Sequence, residues 1–464
     1  MRLLFSLLLF LPISCFAADF SGESLSILWG VPFAGILLSI ALFPLFAGHF
    51  WEHHYGKVAV FWSVLFLVPF LFSFGLNTTL NIVSHTLIEE YIPFILLLGA
   101  LFTVSGNICI SGNFTASPKL NTGLLAIGTI LASFMGTSGA AMLLIRPLLK
   151  ANQDRRYKVH TVIFLIFLVA NVGGGLTPLG DPPLFLGFLK GVTFGWTMKA
   201  MLMPVLGTSL ILLSIFYLTD RHFFRKEDKT IPQEGKIQVT IQGKKNFLFL
   251  LTVVLAVIMS GVWKPGVQWH VLGANVLLEN LIRDIILFAV IVLSYKTTSD
   301  EIRKLNDFNW HPILEVGKLF LCIFVTIFPV IAMLKVGQEG HFGPLIKLMH
   351  YDNGQPINIM YFWITGALSG VLDNAPTYLV FFNLAGGDAN TLMGPLHHTL
   401  LAVSMGSVFM GAMTYIGNAP NFMVKSIAEQ QKIKMPSFFS YMTYSCIILL
   451  PTYAFVSWLF MNVF

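Results

Sequence analysis

The 464-residue chain is 56% hydrophobic, 14% aromatic and only 11% charged, with 43 Phe and a formal net charge of +6. Soluble globular chains carry about a quarter charged residues, so this composition excludes a water-soluble enzyme, a nucleic-acid-binding module and a disordered scaffold. It describes an all-α polytopic membrane protein, in which surplus Lys and Arg mark the cytoplasmic side. Four cysteines, at 15, 109, 322 and 446, form neither metal-ligand spacing nor a disulfide framework.

Residues 1–18 read as a signal peptide: Arg2, an apolar run from Leu3 to Ile13, then small residues before the cut. Residues 19–88 hold N-terminal scaffold helices near 25–46 and 58–76, with His49, His53 and His54 in the short loop between them. Residues 89–218 carry a helix near 93–110, a hairpin over 122–149, a broken helix over 159–189 and a helix near 200–218. The polar stretch 219–245 reads as a cytoplasmic linker. Connecting scaffold helices follow near 246–262 and 281–296, within 246–311. Residues 312–464 repeat the first pattern: helix 314–335, hairpin 358–385, broken helix 398–427, helix 439–462. Each apolar run is long enough for roughly 30 Å of hydrocarbon. The expectation is about ten transmembrane helices, with two re-entrant hairpins and two broken helices.

Loop charge supports this count. The proposed cytoplasmic loops hold Lys57, Lys119, the cluster from Lys150 to Lys158, the basic residues between Arg221 and Lys245, then Lys296, Arg303, Lys304, Lys425, Lys432 and Lys434. The other side holds Lys190, Lys199, Lys264 and Lys347. The bias obeys the positive-inside rule only if 122–149 and 358–385 turn back without crossing.

The two halves repeat in sequence. Gly174-Gly175-Leu176-Thr177-Pro178-Leu179-Gly180-Asp181-Pro182-Pro183-Leu184-Phe185 has a counterpart 237 positions later, Gly411-Ala412-Met413-Thr414-Tyr415-Ile416-Gly417-Asn418-Ala419-Pro420-Asn421-Phe422. Upstream, Gly136-Thr137-Ser138-Gly139 faces Asp373-Asn374-Ala375-Pro376-Thr377 at nearly the same offset. With an odd number of crossings between them, the hairpins enter from opposite sides. Irregular chain at membrane depth is tolerated only where it lines protein or water, so four matched breaks predict a midplane site. Gly136, Gly139, Gly180, Pro183, Gly417 and Pro420 permit the breaks. Thr137, Ser138, Thr177, Asp181, Asp373, Asn374, Thr377, Thr414 and Asn418 supply oxygens for ions or protons, with Na⁺ expected at Ser138, Thr177, Asn374 and Thr414. Asp in an apolar run is costly and marks function.

These elements resemble the ion transporter superfamily, in its bacterial sodium:proton antiporter and citrate transporter branch. The resemblance covers about residues 90–215 and 312–462. It implies an elevator-type secondary transporter of the bacterial inner membrane, usually a homodimer, with a scaffold and a mobile domain. Dicarboxylate carriers of the superfamily place Ser-Asn-Thr at both hairpin tips. Here the first tip lacks the Asn, and the second has Asp373 where Ser would stand.

Two carboxylates without Lys or Arg in the four breaks favour a cation, and a proton competes with Na⁺ for a dehydrated carboxyl group. The expected function is therefore Na⁺(Li⁺)/H⁺ antiport, with Na⁺ and H⁺ as the transported ions and the lipid bilayer as the medium. The alternatives are a Na⁺- or H⁺-coupled citrate or dicarboxylate carrier and an intramembrane hydrolase or transferase, the latter opposed by the inverted repeat. Glu89, Glu90 and Glu315 at the ends of corresponding helices read either as a proton path or as ordinary interfacial charges. No Gly-rich phosphate loop with Lys occurs, so no ATP drive or other cofactor is implied.

Overall fold

Without water in the bilayer core, each segment must satisfy its own backbone N–H and C=O groups, and apolar runs accordingly become helices. The computed structural model describes residues 22–112, 116–227 and 239–463. The expected signal peptide lies outside the described residues. The first half begins with α1 (Val31–Phe46), α2 (Gly48–Phe74) and α3 (Leu76–His85), which runs through a π-helical turn, Thr86–Tyr91, into α4 (Ile92–Gly106). Then come β1 (Cys109–Gly112), the hairpin arms α5 (Pro118–Met135) and α6 (Thr137–Ala151), and the half-helices α7 (Val159–Leu168) and α8 (Pro182–Leu189). The long α9 (Phe194–Phe224) closes this half.

Strand β2 (Val239–Gln242), α10 (Lys245–Val262), the β3–β4 hairpin (Gln268–Val271 and Ala274–Leu277), α11 (Leu278–Thr297) and the short α12 (Asp300–Leu305) connect the halves. The second half runs through α13 (His311–Lys335), α14 (Gly343–Leu348), hairpin arms α15 (Asn358–Ser369) and α16 (Asn374–Leu384), and α17 (Ala389–Met393). Half-helices α18 (His397–Met410) and α19 (Ala419–Gln430) precede the final α20 (Phe438–Trp458).

Three expectations need correction. Helix α2 starts ten residues before position 58, because Trp51 and Tyr55 bury their rings against the core and hold the first turns. His49, His53 and His54 therefore lie on a helix, and the rings of His53 and His54 bond carbonyls four residues back at 2.9 and 3.1 Å. The span expected over 93–110 begins at Leu76, after a turn at Gly75 whose φ of +81° suits glycine. The linker is shorter than 219–245: α9 extends to Phe224, and β2 pairs antiparallel with β1, Cys109 opposite Gln242.

Contacts sort the connecting segments onto two faces. On one, Arg146 meets Asp307 at 3.0 Å, the backbone N–H groups of Arg156 and Tyr157 donate to Glu227, and Asn306 donates to the carbonyls of Gly106 and Ile108. Buried Arg155 and Asp220 pair there at 2.6 Å. This is the Lys- and Arg-rich face. On the other, Lys190 pairs with Glu90, Asn275 N–H donates to Glu89, and Trp196 bonds His397. Each hairpin returns to the face it left, the first to the basic face and the second to the opposite one.

Candidate functional site

Every break has a sequence reason. Gly136, at φ +80°, lets the chain turn between α5 and α6, where a side chain would be strained. In the broken helices, Gly180 and Gly417 pack against the carbonyls of Gly174 and Gly411, so closely that an added Cβ would collide. The repeat is thus built from two glycine crossings in the same register. Pro182 and Pro183 open α8, and Pro420 opens α19, where a missing N–H costs nothing.

Four half-helices, α6, α8, α16 and α19, begin at the breaks, and Asp181 lies among them at 1% exposure. Its Oδ1 accepts from Thr137 Oγ1 and Asn418 Nδ2, both at 3.1 Å, and its Oδ2 accepts from Asn374 Nδ2 at 2.6 Å. One carboxyl group therefore joins the first hairpin tip, the second hairpin tip and the second broken helix to its own. Thr137 and Asn374 stand 237 residues apart, as do Asp181 and Asn418, so the repeat axis passes through this cluster. Helix N-termini carry partial positive charge, which the carboxylate offsets.

The other candidates separate into two groups. Ser138, Asp373 and Asn374 line the cavity beside Asp181, together with Gly136, Gly139, Gly180, Asn418 and Pro420. Pro183 is buried behind them in α8. Asp373 also caps α16, its Oδ1 accepting from Ala375 N–H at 3.0 Å. Thr177, Thr414 and Thr377 have structural bonds instead. Thr177 Oγ1 donates to the Ser133 carbonyl and accepts from Leu179 N–H. Thr414 Oγ1 donates to the Gly370 carbonyl at 2.7 Å and accepts from Ile416 and Gly417 N–H. Thr377 Oγ1 donates to the Asp373 carbonyl at 2.8 Å. Both break threonines thus tie a broken helix to its neighbouring hairpin.

Two further amides, Asn171 and Asn421, brace the site and were not among the residues expected from sequence. Asn171 donates to Asn421 Oδ1 at 2.7 Å and accepts from Asn418 at 3.3 Å; Asn421 donates to the carbonyls of Gly411 and Thr414. Ser133 and Ser369 donate to the carbonyls of Gly173 and Ser407, each at 2.6 Å. These groups satisfy carbonyls freed by the breaks. Their signal was present, a polar amide or hydroxyl within an apolar run, but neither Asn171 nor Asn421 has an amide at its repeat position.

A vestibule of about 710 Å³ leads from the basic face, past Arg146, Asp307, His53 and Gln430, to Asp373 and Asn418. A smaller cavity of about 110 Å³ continues past those two residues to Asp181 and Ser138. Among the described residues, no Lys, Arg or His lines the smaller cavity. The site is open toward the basic face.

A family described as "Putative citrate transport" matches residues 22–461. The chain belongs to this family. It is similar to an uncharacterized transporter of Synechocystis, 25% identical over 67% of this chain and 70% of that protein. Uncharacterized transporters of Mycobacterium bovis and Mycobacterium tuberculosis are each 23% identical, over 84% of both chains. The protein is a multi-pass membrane transporter, and the breaks of its repeat surround the inner cavity.

Proposed function

We propose that the transporter is a Na⁺(Li⁺)/H⁺ antiporter with elevator-type alternating access, working across a bacterial inner membrane. The observation that carries this reading is Asp181, a buried carboxyl group that gathers donors from three other breaks in a cavity without basic side chains. When ionised, it accepts from Thr137, Asn374 and Asn418. When protonated, it needs an acceptor, which a half-turn of the Asn374 amide supplies. Na⁺ would bind the ionised form, with Ser138, Asn374 and Thr137 oxygens nearby. A proton and Na⁺ then exclude one another, which is the minimum requirement for exchange. The intertwined breaks would travel as one mobile body past the scaffold of α1, α2, α10 and α11.

A second reading, citrate or dicarboxylate carriage coupled to Na⁺ or H⁺, has its own support. The family description names citrate, and four half-helix N-termini meeting at one cavity favour an anion. Reconstitution into proteoliposomes holding a pH dye, challenged in turn with Na⁺, Li⁺, K⁺ and citrate, separates the two. Proton movement driven by Na⁺ or Li⁺ and lost in Asp181→Asn supports antiport. Citrate uptake without cation-driven proton movement selects the carrier.

A further inference from the structure

Helices α4 and α13 are related by the repeat at an offset of 226 residues, and two contacts fix that register. Phe94 stacks on Phe320 with ring centroids 4.7 Å apart, and Tyr91 donates to the Gly317 carbonyl at 3.0 Å. Each contact joins a residue to its own repeat partner, so the pseudo-two-fold axis passes close to this crossing. Extended backward, the register pairs His85 with His311 and Glu89 with Glu315. Both halves thus carry His-x-x-x-Glu, and in both the side chains face each other, at 3.2 Å in the first and 4.0 Å in the second. In each dyad the histidine is the more exposed member. The inverted repeat puts one dyad at each face of the membrane.

We propose that the dyads are a matched pair of proton-binding sites, one serving each mouth of the alternating-access path. The first dyad is within hydrogen-bond distance and the second within ion-pair distance, and an imidazole beside a carboxylate is a general proton donor and acceptor. Each dyad takes a proton from water as an N–H or O–H bond and returns it to water, with no other bond changed. The second dyad lines the vestibule of the open basic face, where Glu52 and His53 of α2, Arg146 of α6 and Asp307 also lie. Lys318, on the same helix, rests instead over the Tyr55 ring. On the opposite face Glu89 is engaged by Asn275 N–H of the β-hairpin, while its neighbour Glu90 holds Lys190 at the end of α8. The second dyad faces the vestibule, while in the first Glu89 is tied to the β-hairpin and His85 stays exposed. Pairs of this spacing also stabilise a helix slightly, but that role predicts nothing about sidedness.

The inference rests on the proton-coupled reading above, and the test distinguishes their failures. Full-length protein is assayed in everted and right-side-out membrane vesicles, with only the bath pH varied and Na⁺, Li⁺ or citrate as driver. Glu315→Gln is expected to shift the pH of half-maximal proton movement by about one unit when the basic face meets the bath, and Glu89→Gln only when the opposite face does. Glu315→Asp and Glu89→Asp, which keep a carboxyl group, restore the wild-type profile. If a Gln variant does not accumulate, His311→Gln or His85→Gln is read in the same way. Active wild-type protein whose variants show no shift, or the same shift from both faces, overturns the dyads alone. Wild-type vesicles that move no protons with any driver overturn the proton-coupled reading and the dyads with it.

Discussion

Asn418 donates to Asp181 across 3.1 Å, and the two residues occupy the same place in the two halves of the chain. An inverted repeat with identical residues here would bring two carboxyl groups, or two amides, together on its axis. Two ionised carboxylates in contact repel one another, and two amides offer no charge for a cation. The divergence gives one titratable group and one neutral donor at a single point, which is the least asymmetric arrangement that can hold a charge and satisfy it.

The two cavity carboxyl groups should therefore respond differently to neutralisation. Asp181→Asn removes the charge on which three donors converge, and proton movement driven by Na⁺ should be abolished, with Asp181→Glu partly active. Asp373 caps α16, and Asn caps nearly as well as Asp. Asp373→Asn should retain the wild-type melting temperature while weakening the apparent affinity for Na⁺, because a negative charge is lost where vestibule and inner cavity meet. Dye-based exchange assays over a Na⁺ series, with thermal melts of both purified variants, check this. Equal loss of activity in the two variants would give Asp373 the same importance as Asp181.

Thr177 and Thr414 were attractive as Na⁺ ligands from sequence, since they recur in register beside the charged position. Their hydroxyls donate to hairpin carbonyls and accept from the N–H groups of the next turn. Thr177→Val and Thr414→Val leave those buried groups without partners, at about 1–3 kcal/mol for each group. Both variants should melt several degrees lower than wild type. Serine substitutions, which keep the hydroxyl, should not. A valine variant with unchanged melting and weakened Na⁺ affinity would return the threonines to the ion site.

The glycine crossings are a third point of weakness. A methyl group at Gly180 or Gly417 would run into the carbonyl of Gly174 or Gly411, where backbone rather than a movable side chain stands. Gly180→Ala and Gly417→Ala should each lower folded yield and thermal stability sharply. Gly123 has nothing within 4 Å of such a methyl group, so Gly123→Ala is the matched control. Size-exclusion profiles in detergent, with melting curves, distinguish the three.

Sequence revealed the framework because its signals are chemical. Apolar length locates spans, loop charge orients them, and the Thr-x-x-Gly-(Asp/Asn) recurrence marks both broken helices. It did not reveal which oxygens are free. Thr177 and Thr137 look equivalent in a string of letters, yet one donates to the Ser133 carbonyl and the other to Asp181, a choice made by packing between segments 44 residues apart. Helix ends were misjudged where polar residues sit on helices, as at His49 and His53, because hydropathy reports burial rather than backbone pairing. The amides of Asn171 and Asn421 escaped notice because their repeat positions hold Val408 and Leu184.

That asymmetric shell yields the last prediction, an exchange of the axis residues. Asp181→Asn combined with Asn418→Asp keeps the composition of the pair and moves the carboxyl group to the other half. If only a charge on the axis mattered, the double variant would regain exchange lost in Asp181→Asn. Asn418 Nδ2, however, also lies 3.1 Å from the Ala170 carbonyl and 3.3 Å from Asn171 Oδ1, both acceptors. A carboxylate there would set negative oxygens against two more oxygens, and a buried acceptor without a donor costs about 1–3 kcal/mol. The double variant should remain inactive and melt below Asp181→Asn. Adding Asn171→Ser, which shortens the opposing group and offers a hydroxyl donor, should recover part of the lost stability. Restored exchange in the double variant by itself would mean that the Asn171 shell plays no part in placing the charge.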